Sequence, residues 1–457
     1  MIRKFIKRNF SVPPRISPKS LESLPRTEIS KLSNNIKIAT ENYDMDTATV
    51  GVYVDAGSRF ENEKNNGVAH FLEHMFFKGT NNRTRQQIEK EIENIGGHLN
   101  AYTSREMTCY YAKVFSKDVP KAVNILADIL QNSALKESDI ERERSVILRE
   151  LEEVERQMEE TIFDHLHAVA YQTSSLGLTI LGPRENISTI SRSQLVDYIK
   201  NNYVGPRMVI SAVGGVNHQE FAEMCEKEFS RIPSTSKVIK PEPALWNGAE
   251  VRIPDVDYHN AHVVIAVEGV SWQSPDYFAS LILQSIVGSW DRSLASGANL
   301  SSRLAQVVEK YKLAQSFMSF NTSYTDTGLF GIYLQSDRTE GLDDLIYEVQ
   351  QEWMRICLNL TDNEVSRAKL QLKASLMMAL DGTTEICEDV GRQVLTLGKR
   401  YSLKEMSDQI DNISTSDVKQ VANKYIYNKC PAVAAYGPID TLPDYNRIRS
   451  SMLWLRS

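Results

Sequence analysis

Much is scarce in this chain, and each scarcity removes a class of answer. The five cysteines, Cys109, Cys225, Cys357, Cys387 and Cys430, are odd in number, far apart and never in a Cys-x-x-Cys pair. That argues against a disulfide-built scaffold, favours a reducing compartment, and leaves a thiolate metal site without the spacing it needs. No apolar run approaches the length of a membrane span. Basic residues are not in excess, since 52 Lys and Arg stand against 59 Asp and Glu for a net charge of -7. The balance argues against a nucleic-acid binder and is compatible with a basic partner or substrate. At 457 residues, 42% hydrophobic and 24% charged, the composition is that of an ordinary globular chain too long for one core, so two or more domains are expected.

What is present begins with an unusual leader. Residues 1–21 carry Arg3, Lys4, Lys7, Arg8, Arg15 and Lys19, with no acid before Glu22, and open with Met1, Ile2, Phe5 and Ile6 at roughly helical spacing. This reads as a mitochondrial-type targeting segment. Arg8-Asn9-Phe10-Ser11 matches the cleavage pattern of such segments, with arginine three residues before the cut.

The stretch Asn66 to Thr80, NGVAHFLEHMFFKGT, carries the chemistry. On a helix His70 and His74 stand one turn apart on one face, with Glu73 beside them. Two such imidazoles can bind a Zn²⁺ while the neighbouring carboxylate deprotonates its water. His-x-x-Glu-His is the inverted form of the commoner zinc-protease motif. Two histidines and a glutamate also arise by chance on solvated helices. Here Val68, Phe71, Leu72, Met75, Phe76 and Phe77 crowd the same segment, so much of it must be buried, and buried polar groups need partners.

Around this stretch the sequence predicts strands from Lys37 and over Ala48 to Ser58, a helix from Arg85 to Ile95, and a hairpin from His98 to Phe115 that turns near Ser104 to Glu106. Helices are expected over Val119 to Gln131, from about Glu137 to Tyr171, and over Ser191 to Asn202, with a strand over Met208 to Val216. The Pro-rich stretch Ile232 to Glu250 marks a boundary. Beyond it the order recurs. Ala261 to Ser271 answers Ala48 to Ser58, Ser319 to Ser336 answers the hairpin, Asn363 to Leu380 answers the charged helix, and Ala432 to Ile439 answers the closing strand. An internal duplication follows, in which only the first copy keeps a His-x-x-Glu-His. The expected division is a leader over 1–21, a zinc-bearing domain over 22–233, a linker over 234–250 and a metal-free homologous domain over 251–457.

A catalytic zinc needs a third protein ligand and an open position. In the charged helix, Glu143 and Glu150 point within about 20° of each other, and Val146 and Ile147 share the neighbouring face, so both carboxylates should point inward. Glu150 is the natural ligand, with Glu143 supporting a ligand or the helix.

These residues carry a resemblance. His70 to His74, Phe77-Lys-Gly-Thr80, Leu99-Asn-Ala-Tyr-Thr-Ser-Arg-Glu106, Val146-Ile-Leu-Arg-Glu150, Phe163-Asp-His-Leu-His167 and Ile180-Leu-Gly-Pro183 resemble the processing-peptidase branch of the pitrilysin-type zinc proteases with inverted motif, over nearly the whole chain. The resemblance implies an α+β fold of two homologous α/β domains and a zinc on His70, His74 and Glu150, with Glu73 as general base. It implies removal of basic N-terminal presequences from precursor proteins imported into the mitochondrial matrix. It also implies a heterodimer with an α subunit that carries a glycine-rich loop, a loop this chain lacks. The corresponding segment here, Ser289 to Arg303, has Ala295-Ser296 where the family tends to have more glycine. Asn100 and Ala101 match positions where the family adds its substrate as a strand, and Phe77 one near the side chain after the cut. Glu160 and Asp164 match positions that hold an arginine near the cut. With Glu153 they would form an acidic stripe leading from Glu150; on a straight helix Glu160 is about 15 Å from Glu150, so either the helix bends between them or the stripe serves a more distant arginine, and the resemblance favours a bend. The alternatives are a core subunit of respiratory complex III, which shares the fold, and an inactive scaffold, disfavoured by the intact ligand set.

Overall fold

The computed structural model describes residues 24–235, 240–294 and 301–453. The targeting segment and its cleavage pattern, part of the linker, and Ala295-Ser296 lie outside the described residues. Two six-stranded sheets organise the chain. The first contains β1 (Glu28–Lys31), β2 (Lys37–Asn42), β3 (Thr47–Val54), β4 (His98–Thr103), β5 (Thr108–Phe115) and β6 (Met208–Gly214), in the order β1-β2-β6-β3-β5-β4. The second contains β7 (Glu250–Pro254), β8 (Ala261–Glu268), β9 (Ser289–Asp291), β10 (Ser316–Ser323), β11 (Gly328–Ser336) and β12 (Ala432–Gly437), in the order β7-β12-β8-β11-β10-β9.

The duplication is visible in the pairing itself. In the first sheet β2 runs parallel to β6, and β6, β3, β5 and β4 then pair antiparallel in succession. The second sheet repeats this as β7, β12, β8, β11 and β10. Both hairpins close in the same way, Ser104 N donating to Met107 O at 2.7 Å and Tyr324 N to Thr327 O at 2.9 Å. The central strands are rich in β-branched residues and buried along most of their length, as in TATVGVYV and AHVVIAVE. One difference separates the copies. The outer edge of β10 is covered by β9, whereas that of β4 has no strand beside it among the described residues.

The charged helix is two helices. The first spans Glu137–Val154 and the second Met158–Ala170, with a turn at 155–157, the one of the two alternatives that the resemblance favours. The stripe is therefore split, with Glu153 on the first helix and Glu160 and Asp164 on the second. Ile147 is buried as expected, but Val146 is not, at 38% exposure. The inward face of this helix is narrower than its apolar residues suggest, because contacts with the motif helix cover only the side bearing Ile140, Glu143 and Ile147.

The second helix of each copy crosses to the other copy's sheet. Ile162, Leu166 and Val169 pack with Val264, Ala266 and Phe320 of the second sheet. Reciprocally, Ile386, Val390 and Val394 of the helix Thr383–Leu397 pack on Ala39, Tyr53, Val209 and Val213 of the first. The main cores lie on the opposite sheet faces, each under its own copy's remaining helices.

Candidate metal centre

The motif helix spans Val68–Phe76. Phe71, Leu72, Met75 and Phe76 bury it in the first core, which turns His70 and His74 toward the Glu137–Val154 helix. Its start has no side-chain cap of its own, because the N-cap residue is Gly67 at φ 102°. Glycine is required there twice over, since a Cβ would lie 2.5 Å from the Leu181 carbonyl oxygen. The helix N-terminus is held instead by a buried carboxylate from outside. Glu61 accepts from Gly67 N at 2.9 Å, Ala69 N at 2.6 Å and Asn66 Nδ2 at 2.8 Å. Burial pushes its pKa up to about 8 even against those three hydrogen bonds.

The structure brings His70, His74 and Glu150 together. Their candidate ligand atoms all lie within 4.8 Å of one another, the only such group among the described residues. Nε2 of His70 is 3.6 Å from Glu150 Oε1, and Nε2 of His74 is 3.2 Å from Glu150 Oε2. On its other side His74 Nδ1 donates to Glu143 Oε1 at 3.0 Å. That bond fixes the ring with Nε2 facing Glu150. Glu143 is buried and also accepts from Lys78 Nζ at 2.7 Å. Glu73 supplies a buried Oε2 with no hydrogen-bond partner, and His70 a buried Nδ1 likewise unpartnered.

The electrostatics favour a cation. Three carboxylates, from Glu73, Glu143 and Glu150, surround two imidazoles and one ammonium. Hydrogen bonds from His70 and His74 hold Glu150 far below the usual carboxylate range. Burial alone would lower the His74 pKa, but its bonds to Glu143 and Glu150 override that and push it up to about 9. The donor set, two imidazole nitrogens and one carboxylate oxygen with an unpartnered carboxylate beside them, fits an open catalytic metal site.

The other expected residues lie outside this three-residue cluster. Asn100 is exposed and Ala101 half-buried on the open edge of β4. Phe77 is half-buried and lines a cavity of about 280 Å³ with Ile88, Ile92 and Leu99. Glu160 is exposed and lines a second cavity of about 630 Å³ with Asp164. Asp164, however, already has a partner, because Arg105 Nη2 donates to its Oδ1 at 2.5 Å. Sequence reasoning missed Glu61, Lys78 and Arg105. Lys78 follows the motif closely enough to have been considered as a partner of Glu143, but nothing in the sequence ties Glu61 to the helix or Arg105 to Asp164.

The chain is similar to known proteins along most of its length. Residues 37–184 match the family model "Insulinase (Peptidase family M16)", and residues 189–372 match "Peptidase M16 inactive domain". The chain is 52% identical to the mitochondrial-processing peptidase subunit beta of Bos taurus, over 95% of this chain and 89% of that protein. It is 51% identical to the subunit of the same name from Homo sapiens over 95% and 89%, and 54% identical to that of Lentinula edodes over 94% and 93%. Among solved structures it resembles a chain of complex III2 from Candida albicans, with a TM-score of 0.85 and 27% identity, covering 93% of this chain and all of that one.

Proposed function

The chain belongs to peptidase family M16 and is a metallopeptidase, and from that premise we propose that it is the catalytic subunit of a mitochondrial presequence-processing endopeptidase using zinc. The observation that carries the reading is the convergence of His70, His74 and Glu150 beside the unpartnered Oε2 of Glu73. His70, His74 and Glu150 would hold the metal. A bound zinc supplies a Lewis acid that polarises the scissile carbonyl and acidifies water.

The chain's own residues do the rest. Glu73, on the same helix but outside the ligand set, takes a proton and returns it to the leaving amine. Glu143 and Lys78 keep the His74 ring turned so that Nε2 faces inward. The free edge of β4, at Asn100 and Ala101, can pair an extended peptide by its backbone. The cavity beside Phe77 suits an apolar side chain next to the cut, and Glu160 with Asp164 suits a basic one. These roles go with a zinc-bearing domain over 22–233, a metal-free one over 251–457 and a leader over 1–21. The processing names and high identity of the relatives favour this reading over a core role in complex III, to which the chain's similarity is lower. Mitochondrial matrix location and an α partner bearing the glycine-rich loop belong to the same proposal. The partner is needed because the segment from Ser289 to Arg303 carries a single glycine, Gly297.

Two experiments test this. Glu73→Gln should retain one zinc per chain while losing presequence cleavage, whereas Glu150→Ala should lose the metal. Full zinc in Glu150→Ala by elemental analysis would sink the ligand assignment. The chain purified alone should cleave presequence peptides at a few per cent or less of the rate of the assembled enzyme. Full activity without any partner would remove the need for the α subunit.

A further inference from the structure

An arginine of this chain already lines the acidic pocket at the turn between the Glu137–Val154 and Met158–Ala170 helices. Arg105 lies in the turn between β4 and β5, at the end of the open edge strand. Its backbone is tied down: its carbonyl accepts from Arg59 N at 2.8 Å, the turn closes from Ser104 to Met107, and the adjacent Glu106 accepts from Thr325 N at 3.0 Å. The side chain is held far less completely. It is 9% exposed and donates to Asp164 Oδ1 through Nη2, while its buried Nε has no partner. A guanidinium carries five donors in a rigid fork, and this one is far from satisfied. Around it the cavity offers Glu159 and Glu160, with Val154, Ile180 and Leu181 as apolar wall. Glu160 makes no ion pair among the described residues.

We propose that Arg105 is a specificity-determining residue, an internal stand-in for the substrate's basic side chain that pairs with Asp164 until an incoming arginine competes for it. The inference deepens the proposed function and rests on its reading of Glu160 and Asp164. Leaving Asp164 unpaired beside a half-buried wall is unfavourable, and Arg105 removes that penalty in the free enzyme. A substrate side chain therefore gains at Asp164 only by exchange. Arginine for arginine is nearly balanced, so pairing with Glu160 is net gain. Lysine for arginine gives up the fork geometry and is unfavourable. Exchange thus raises the threshold for every incoming cation by the same amount, so the Arg105 pair sets how strongly the pocket prefers a basic side chain over a neutral one, while fork geometry sets arginine over lysine.

The test uses the assembled enzyme and three presequence peptides that differ only in carrying Arg, Lys or Ala near the cut. Arg105→Gln should lower KM for the Arg and Lys peptides by about fivefold, the scale of one partly exposed ion pair, and should leave KM for the Ala peptide unchanged. The change should fall on KM rather than kcat. Arg105→Lys, which keeps the charge and disturbs folding less, should lie between parent and Arg105→Gln. With Asp164→Asn in place, Arg105→Gln should no longer shift the Arg to Ala ratio. If Arg105→Gln and Arg105→Lys raise KM for the Arg peptide or leave it unchanged while Asp164 is intact, Arg105 merely positions Asp164 and the inference is overturned. If instead Glu160→Gln with Asp164→Asn leaves the Arg to Ala ratio at the parent value, the underlying reading of the pocket fails, a separate and recognisable result that also overturns the inference.

Discussion

A single hydrogen bond decides what His74 can do. Its Nδ1 is committed to Glu143, and Glu143 is fixed in turn by Lys78. Substituting Glu143 by Gln should therefore loosen the ring without removing a ligand, and the apparent zinc affinity should fall about 10- to 100-fold. Chelator competition measures this, and an affinity equal to the parent's would show that the ring is held by packing alone. Helical periodicity, which relates residues on one face of one element, paired His70 with His74 on one helix and Glu143 with Glu150 on another; joining the pairs rested on the ligand needs of a zinc and on the resemblance. Lys78 escaped notice because its partner lies across a tertiary contact between two helices, where no periodicity reaches. The same holds for Arg105 and Asp164, which meet across a turn and a helix of different segments.

The motif helix is short and begins on a glycine, so its position depends on what holds its first turn. Glu61 does this from outside the helix with a proton whose pKa, about 8, lies above the ordinary carboxylate value of 4.5. Between those values the folded chain keeps a proton that the unfolded chain releases. The stability Glu61 contributes is therefore full below about 4.5 and is lost as pH rises through about 8. Glu61→Gln cannot titrate. The melting temperature of the variant minus that of the parent should become more positive from pH 5 to pH 9, and a difference that stays flat or falls would place the Glu61 pKa in the ordinary range. Element boundaries were otherwise well marked in the sequence: the hairpin and the closing strands followed from pattern, whereas the bend after Glu150 rested on the resemblance, since helix geometry also allowed a straight stripe serving a more distant arginine. Three-residue β9 was not marked, since a segment that short carries no alternation to read. Yet it matters, because by covering β10 it leaves β4 as the hairpin edge of the two copies still open to a peptide.

At the scale of the molecule the sequence showed a duplication but not the exchange of helices it produces. The order of elements is a property of the chain, whereas which sheet the Met158–Ala170 helix covers is settled only by the other copy. The consequence is that neither half is self-sufficient. Residues 24–233 alone would expose Ile162, Leu166 and Tyr171, all at most 1% exposed in the intact chain, together with the face of Tyr53, Val209 and Val213 from which Val390 and Val394 had been removed. Two apolar faces of that kind invite association. The buried ties between the copies would go as well. The Arg59 guanidinium, 1% exposed, bonds Glu106 at 2.5 Å and Asp326 at 2.7 Å, and His167 Nε2 meets the Tyr324 hydroxyl at 2.6 Å. Stripped of Asp326, Arg59 would keep only part of its compensation in a buried site, which is strongly destabilising. Residues 24–233 and 240–453 expressed separately should therefore bind a hydrophobic dye, aggregate and unfold without a cooperative transition. Co-expressed, they should form a one-to-one complex with a cooperative transition and one zinc. A monomeric 24–233 fragment that unfolds cooperatively and binds no dye would mean that the exchanged helix is an ornament of the fold rather than part of its core.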